Sequence, residues 1–156
     1  MTLARNIERL GVLAGVFAIC CTADGEDQGA AFPEDYADTY TEVRNCRANG
    51  GSHDFNRIRV LADPAALQAY RDRDIAFPVD SVVLKEEYDP NDIDCTGPIT
   101  QWAVMKRLPD GNDDKLNWHW QQVDGSGVVV GENQSRCIGC HAACVPPDGY
   151  EGTCTV

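Results

Sequence analysis

Ser81-Val82-Val83-Leu84-Lys85-Glu86-Glu87-Tyr88 is the stretch on which the fold turns. Its apolar, β-branched start reads as a strand, and strand alternation puts Ser81, Val83, Lys85 and Glu87 on one face. An ammonium beside Val83 and Leu84 must either snorkel to water or lose its charge, unless a salt bridge to an acid holds it. Working outward, Phe55 to Ala62 alternates Ile58 and Val60 with Arg57 and Arg59, as a half-buried strand does. Thr100 to Leu108 and Leu116 to Val123 read as further strands, and the turn Asp124-Gly125-Ser126-Gly127 leads by a hairpin into Val128-Val129-Val130. Two short helices flank these strands. Phe32, Tyr36, Tyr40 and Val43 recur at helical spacing behind Pro33, so a helix is expected to end near Asn45. Asp63-Pro64 starts the second, with Ala65, Ala66, Leu67 and Tyr70 inside it. The expected fold is α+β, mainly an antiparallel β-sheet with a few short flanking helices and a C-terminal Cys-x-x-Cys-His segment.

The 156 residues allow one compact domain. Thirteen Lys and Arg against 25 Asp and Glu give a net charge of −12 without a basic cluster, which excludes nucleic acid and anionic membrane surfaces as natural partners and suits a cationic protein. Residues 1–21 read as an export signal: Arg5 and Arg9 precede the apolar run Gly11 to Ile19, which is too short to span a bilayer. Cys20 at the end of that run is the pattern of a lipoprotein signal, whose thiol carries the lipid anchor, although Ile19 stands where a small residue is preferred. A buried N-terminal helix is the competing reading. Residues 22–31, TADGEDQGAA, form a flexible acidic tether, and 32–156 form the domain. The expected location is periplasmic or extracellular, either free or anchored by lipid.

Cys137-Ile138-Gly139-Cys140-His141 carries the chemistry. Two thiols three positions apart can each add to one vinyl group of a haem, and the histidine that follows is left as the proximal ligand to iron. Three rivals exist. A zinc site would use Cys137, Cys140, His141 and Cys144, but four ligands in eight residues do not match paired zinc knuckles. An iron–sulfur cluster or a thioredoxin-type pair needs other spacing or a βαβ context. A structural disulfide knot is the third. With the haem motif and signal set aside, Cys46, Cys95, Cys144 and Cys154 remain, enough for two disulfides in an oxidising compartment. Cys46–Cys95 with Cys144–Cys154 is the preferred connectivity, because the second pair pins the Pro146-Pro147 tail beside the haem. Met105, His53 and His119 are the side chains able to occupy a second axial position, and none is required to. Met105 sits in a core-like strand, His53 in a Gly/Ser loop, and His119 opposite the indoles of Trp118 and Trp120.

The order of these pieces resembles the cytochrome P-460 family, which includes the non-catalytic cytochromes c′-beta. The resemblance rests on the Tyr36 helix, RIRVLADP (57–64), FPVDSVVLKEEY (77–88), QWAVMKRL (101–108), NWHW (117–120) and the C-terminal Cys-x-x-Cys-His. It implies a mainly antiparallel homodimer with one covalently attached haem c per subunit. Catalytic members bond a strand lysine, here matched by Lys85, to the haem macrocycle and oxidise hydroxylamine, handing electrons to a soluble cytochrome. They use a distal carboxylate; Glu86, Glu87 and Glu132 are available here but none matches a family motif, so that role is left unassigned, and Arg57 and Arg59, which alternation puts on one face, are candidates to line the haem or its propionates. FPVDS departs from the family's frequent FPDGS just before the Lys85 strand. The alternatives are a binding protein for nitric oxide or another small gas, and a simple electron carrier.

Overall fold

Six strands pair antiparallel in the order of the chain, β1 (Thr41–Ala48), β2 (Arg57–Ala62), β3 (Val82–Tyr88), β4 (Gln101–Arg107), β5 (Trp118–Asp124) and β6 (Val129–Glu132). The structure, a computed structural model, describes residues 29–49, 53–54 and 56–154. The export signal and residues 22–28 of the tether lie outside the described residues. The tether's last residues lie on the sheet, where the Ala31 amide donates to Gln121 Oε1 at 2.6 Å. The helices are short: α1 (Tyr36–Thr39) precedes β1, α2 (Leu67–Asp72) joins β2 to β3, and α3 (Ser135–His141) follows β6. A two-stranded hairpin, β7 (Gly149–Tyr150) and β8 (Thr153–Cys154), closes the described chain. The α+β expectation holds.

One expected helix is mostly strand. The helical spacing of Phe32, Tyr36, Tyr40 and Val43 predicts a helix to Asn45, but α1 stops at Thr39 and β1 begins at Thr41. Thr41 and Val43 are β-branched, and β2 offers a partner edge through Thr41↔Ala62, Arg44↔Val60 and Arg47↔Ile58, so ladder bonds outweigh a weak helical pattern. Tyr36 and Tyr40 do share a face, with ring centroids 6.1 Å apart. The Asp63 signal is sound in mechanism, since Asp63 Oδ1 accepts from the Ala66 amide at 2.6 Å just before α2.

β3 and β4 lie at the centre and are covered on both faces. Register aligns Val60, Lys85, Ala103 and Gln122 across β2 to β5 on the inner face. Around them pack Ala62, Ala69, Tyr70, Phe77, Val83, Met105, Trp118 and Trp120, with α3 against the same cluster through Cys137 and Ile138. The FPVDS departure does not move the register: Asp80 takes φ 67°, Ser81 Oγ and the Ser81 amide both donate to the Pro78 carbonyl, and β3 starts in phase.

The outer face is a second core of Tyr36, Leu61, Val82, Leu84, Val104 and Val123. In its midst Glu86, only 1% exposed, accepts from Arg59 Nε at 2.6 Å, Tyr36 Oη at 2.8 Å and Tyr88 Oη at 2.7 Å. Arg59 Nη2 also donates to Tyr88 Oη, and Trp102 Nε1 to Tyr36 Oη. Burial, the largest cause, pushes the phenols of Tyr36 and Tyr40 up to about 12 and raises Tyr88 further still. A phenol raised in the folded state contributes stability that is whole below its unfolded value of about 10 and lost as pH rises through the folded value. The expected result is that tyrosinate absorbance for these residues is delayed to about pH 12, with stability falling across that window. Ordinary titration in a still-folded chain would contradict it.

Candidate functional site

A cavity of about 320 Å³ opens between the inner face of the sheet and α3, a size common for small-molecule sites. Alternation dictates its wall: Val60 from β2, Val83, Lys85 and Glu87 from β3, Ala103 and Met105 from β4, Trp120 and Gln122 from β5. α3 supplies Cys137, Cys140 and His141, and β1 with its following loop supplies Arg44, Arg47, Asn49 and His53.

Lys85 is half-buried in the cavity wall, with Val60 and Ala103 as its neighbours in register and Cys137 and His141 of α3 lining the same cavity. Burial pulls its ammonium down to about 8, against the opposing charge of Glu87. Its Nζ meets His53 Nε2 at 2.7 Å, and His53 Nδ1 meets Glu87 Oε1 at 2.7 Å. A carboxylate only accepts here and an ammonium only donates, so His53 carries its proton on Nδ1 and offers the Nε2 lone pair to Lys85. Glu87 is 0% exposed and also accepts from Asn56 Nδ2 and Gln101 Nε2. Burial pushes the Glu87 carboxyl up, but hydrogen bonds from His53, Asn56 and Gln101 outweigh it and hold the group below its ordinary value. The simple lysine–carboxylate salt bridge is therefore a relay, Glu87 to His53 to Lys85.

His141 is oriented from behind. Its Nδ1 lies 2.6 Å from the Gly152 carbonyl, which can only accept, so Nδ1 bears the proton and Nε2 keeps its lone pair. The carbonyl is set by the β7–β8 turn, where Glu151 and Gly152 take φ 44° and 81°, a two-residue geometry that favours glycine. The Trp120 ring packs against the imidazole at 4.7 Å between centroids, and burial pushes its pKa down to about 4, so the ring is neutral. The two α3 thiols stand outside the disulfide-distance pairs. Burial raises the Cys137 thiol, the opposite of an activated redox cysteine.

Cys46 and Cys95 lie at disulfide distance with Cα atoms 5.7 Å apart, and Cys144 and Cys154 likewise at 4.8 Å. That pairing bears on zinc: among the described residues the converging His/Cys/Asp/Glu group is His141, Cys144 and Cys154, two of whose sulphurs face each other. Cys137 and Cys140 do not join it.

The sequence candidates separate by face. Glu87 and His53 reach the cavity, and Met105 is a buried part of its wall. Glu86 lies on the outer face and Glu132 pairs with His119 at 3.1 Å, so neither is at the site, and His119 stands opposite two buried indoles. Arg57 and Arg59 do not line the cavity, because inward-facing positions of β2 fall on Ile58 and Val60. The arginines there are Arg44 and Arg47 from β1 and Arg136 from α3, of which only Arg44 falls in the stretch expected to be helix. Gln101 and Gln122 were also missed, though a polar residue at an inward strand position is a signal.

A haem fits this donor set. Two thiols and an imidazole with a free Nε2 share one helix at the cavity's edge, and Asn49 Nδ2 at the wall is buried without a partner among the described residues. A carboxylate entering beside Arg44 and Arg47 would satisfy it. The family model for cytochrome P460 matches residues 33–148. No curated protein matches the chain.

Proposed function

Because the chain belongs to the cytochrome P460 family, a haem-binding family, we propose that it is an exported monohaem c-type cytochrome that binds small nitrogen species such as hydroxylamine and nitric oxide. Cys137 and Cys140 would form the thioether bonds and His141 Nε2 would bind iron, while Arg44, Arg47 and Asn49 would receive the propionates. The observation that carries this reading is the meeting of two free thiols and a neutral, Nδ1-anchored imidazole with the Lys85–His53–Glu87 relay across one cavity. Bound there, haem supplies a redox-active iron that accepts a small ligand and passes single electrons.

The chain's own residues then have defined tasks. Glu87 holds the His53 Nδ1 proton, and His53 Nε2 can take a proton from a ligand once Lys85 gives up that lone pair. By resemblance Lys85 matches the family's cross-linking lysine, and its burial among apolar neighbours favours the neutral amine such a bond needs. Hydroxylamine oxidation is the catalytic form of this reading. The apolar wall of Val60, Val83, Ala103 and Met105 favours uncharged gases too, the basis for the non-catalytic alternative. The two sulphur pairs at disulfide distance support export to the periplasm or beyond, and the charge of −12 suits a basic soluble cytochrome as electron acceptor.

The test is the optical spectrum of the reduced protein and of its denatured pyridine adduct, after co-expression with haem-attachment machinery. A red-shifted Soret band that survives denaturation, and that reverts in Lys85→Ala, is expected for the cross-linked enzyme. A plain c-type spectrum would favour gas binding or electron transfer, and a haem-free chain would overturn the proposal.

A further inference from the structure

A row of side-chain amides leads away from Glu87 across the inner face of the sheet. Gln101, opposite Glu87 in register on β4, donates from Nε2 to Glu87 Oε2 at 2.7 Å. Gln122 pairs with Ala103 on β5, diagonally across from Gln101, and donates from Nε2 to Gln101 Oε1 at 2.7 Å. Gln134, the N-cap of α3, donates from Nε2 to Gln122 Oε1 at 3.4 Å. Its amide lies over Gly131, where a Cβ would run into Gln134 Nε2.

The carboxylate dictates the direction of the row. It only accepts, so Gln101 turns its NH2 to Glu87 and its oxygen to Gln122, which must donate in turn. Every amide therefore points its positive end toward Glu87, and aligned hydrogen bonds strengthen one another. Glu87 Oε1 accepts from His53, while Oε2 accepts from Gln101 and Asn56. A proton arriving on Glu87 would have to displace one of these donors.

We propose that Gln101, held by Gln122, is a positioning residue of the proton relay: it fixes Glu87 as an anion, which keeps the His53 proton on Nδ1 and makes His53, rather than Glu87, the group that takes protons from a bound ligand. The inference rests on the haem reading above and adds to it which group is the base and which the anchor. The charged and titratable groups around Glu87 are His53 from the segment between β1 and β2, Lys85 from its own strand, Arg44 and Arg47 from β1, and Arg136, Cys137 and His141 from α3. The cations among them favour the same anion, so the test removes Gln101 and leaves them in place.

The experiment is an infrared titration of the Glu87 carboxyl in the haem-loaded full chain, its band assigned by its loss in Glu87→Gln. Wild-type Glu87 is expected to titrate below the ordinary glutamate value of about 4.3. Gln101→Leu is expected to raise that midpoint by about one pH unit, as the loss of one charge-assisted hydrogen bond would, and Gln122→Leu to raise it by less. The acid limb of the hydroxylamine turnover profile should move with the midpoint. A purely structural glutamine would change stability and leave the midpoint alone. An unmoved midpoint in either variant would overturn the proposal, and so would a protonated Glu87 in the wild type at neutral pH, a result readable even where a variant fails to accumulate. Failure of the haem reading shows separately, as a chain that takes up no haem or a loaded wild type inert toward hydroxylamine, and would overturn this role with it.

Discussion

Cys137→Ser combined with Cys140→Ser is expected to abolish covalent haem in cells that attach it to the wild type, while the sheet still folds. The two thiols do little for the core: Cys140 is exposed, and Cys137 only touches the inner cluster from outside. Swapping sulphur for oxygen at such positions should change stability by about 1 kcal/mol or less. Haem staining on a denaturing gel reads the loss directly, and each single variant should keep one thioether. Full retention of stain in the double variant would move the covalent link to Lys85 alone. A wild type that carries zinc and loses it in the double variant would instead mean that the thiols serve a metal, a reading that the pairing of Cys144 with Cys154 already disfavours.

The second large effect lies on the other side of the sheet. Arg59→Met leaves Glu86, whose side chain is 2% exposed, with two tyrosine hydroxyls and no cation. Removing one partner of a buried ion pair strands the other charge, and about 3 kcal/mol of destabilisation is expected. Urea unfolding measures it. Glu86→Gln added to Arg59→Met should return part of the loss, because a neutral amide can still accept from Tyr36 and Tyr88 without a counterion. Haem uptake by the folded fraction should be unchanged, since neither residue reaches the cavity. A stability change within a few tenths of a kcal/mol would show that the outer cluster is held by its aromatic packing instead.

The sheet was readable because its strands carry strong period-two signals. Val82 to Tyr88 and Gln101 to Arg107 each sit within a stretch predicted from alternation and turn residues, and Trp118 to Asp124 runs one residue past its predicted stretch into the turn. β1 was not readable, since Tyr36, Tyr40 and Val43 mimic a helix and only the free edge of β2, far along the chain, decides against it. That one misreading hid Arg44. Cys137, Cys140 and His141 announce themselves by spacing, whereas the Gly152 carbonyl that orients His141 carries no such mark. His53 was legible only as a loop histidine. Its meaning depends on Glu87, 34 positions away, and on a strand register that no local pattern encodes.

Lys85, Glu86 and Glu87 are consecutive, yet the first and third serve the cavity while the second serves the cluster behind it. Their roles are therefore fixed by parity. Inserting or deleting one residue between Asp80 and Lys85 would send the Glu86 carboxylate into the cavity and the lysine among the tyrosines, exchanging two chemistries in one step. A change of two residues would leave each on its own side. Descendants of this chain can lengthen or shorten their loops freely, but the count from the Asp80 turn to Lys85 can drift only in even steps, or where a bulge absorbs the odd one.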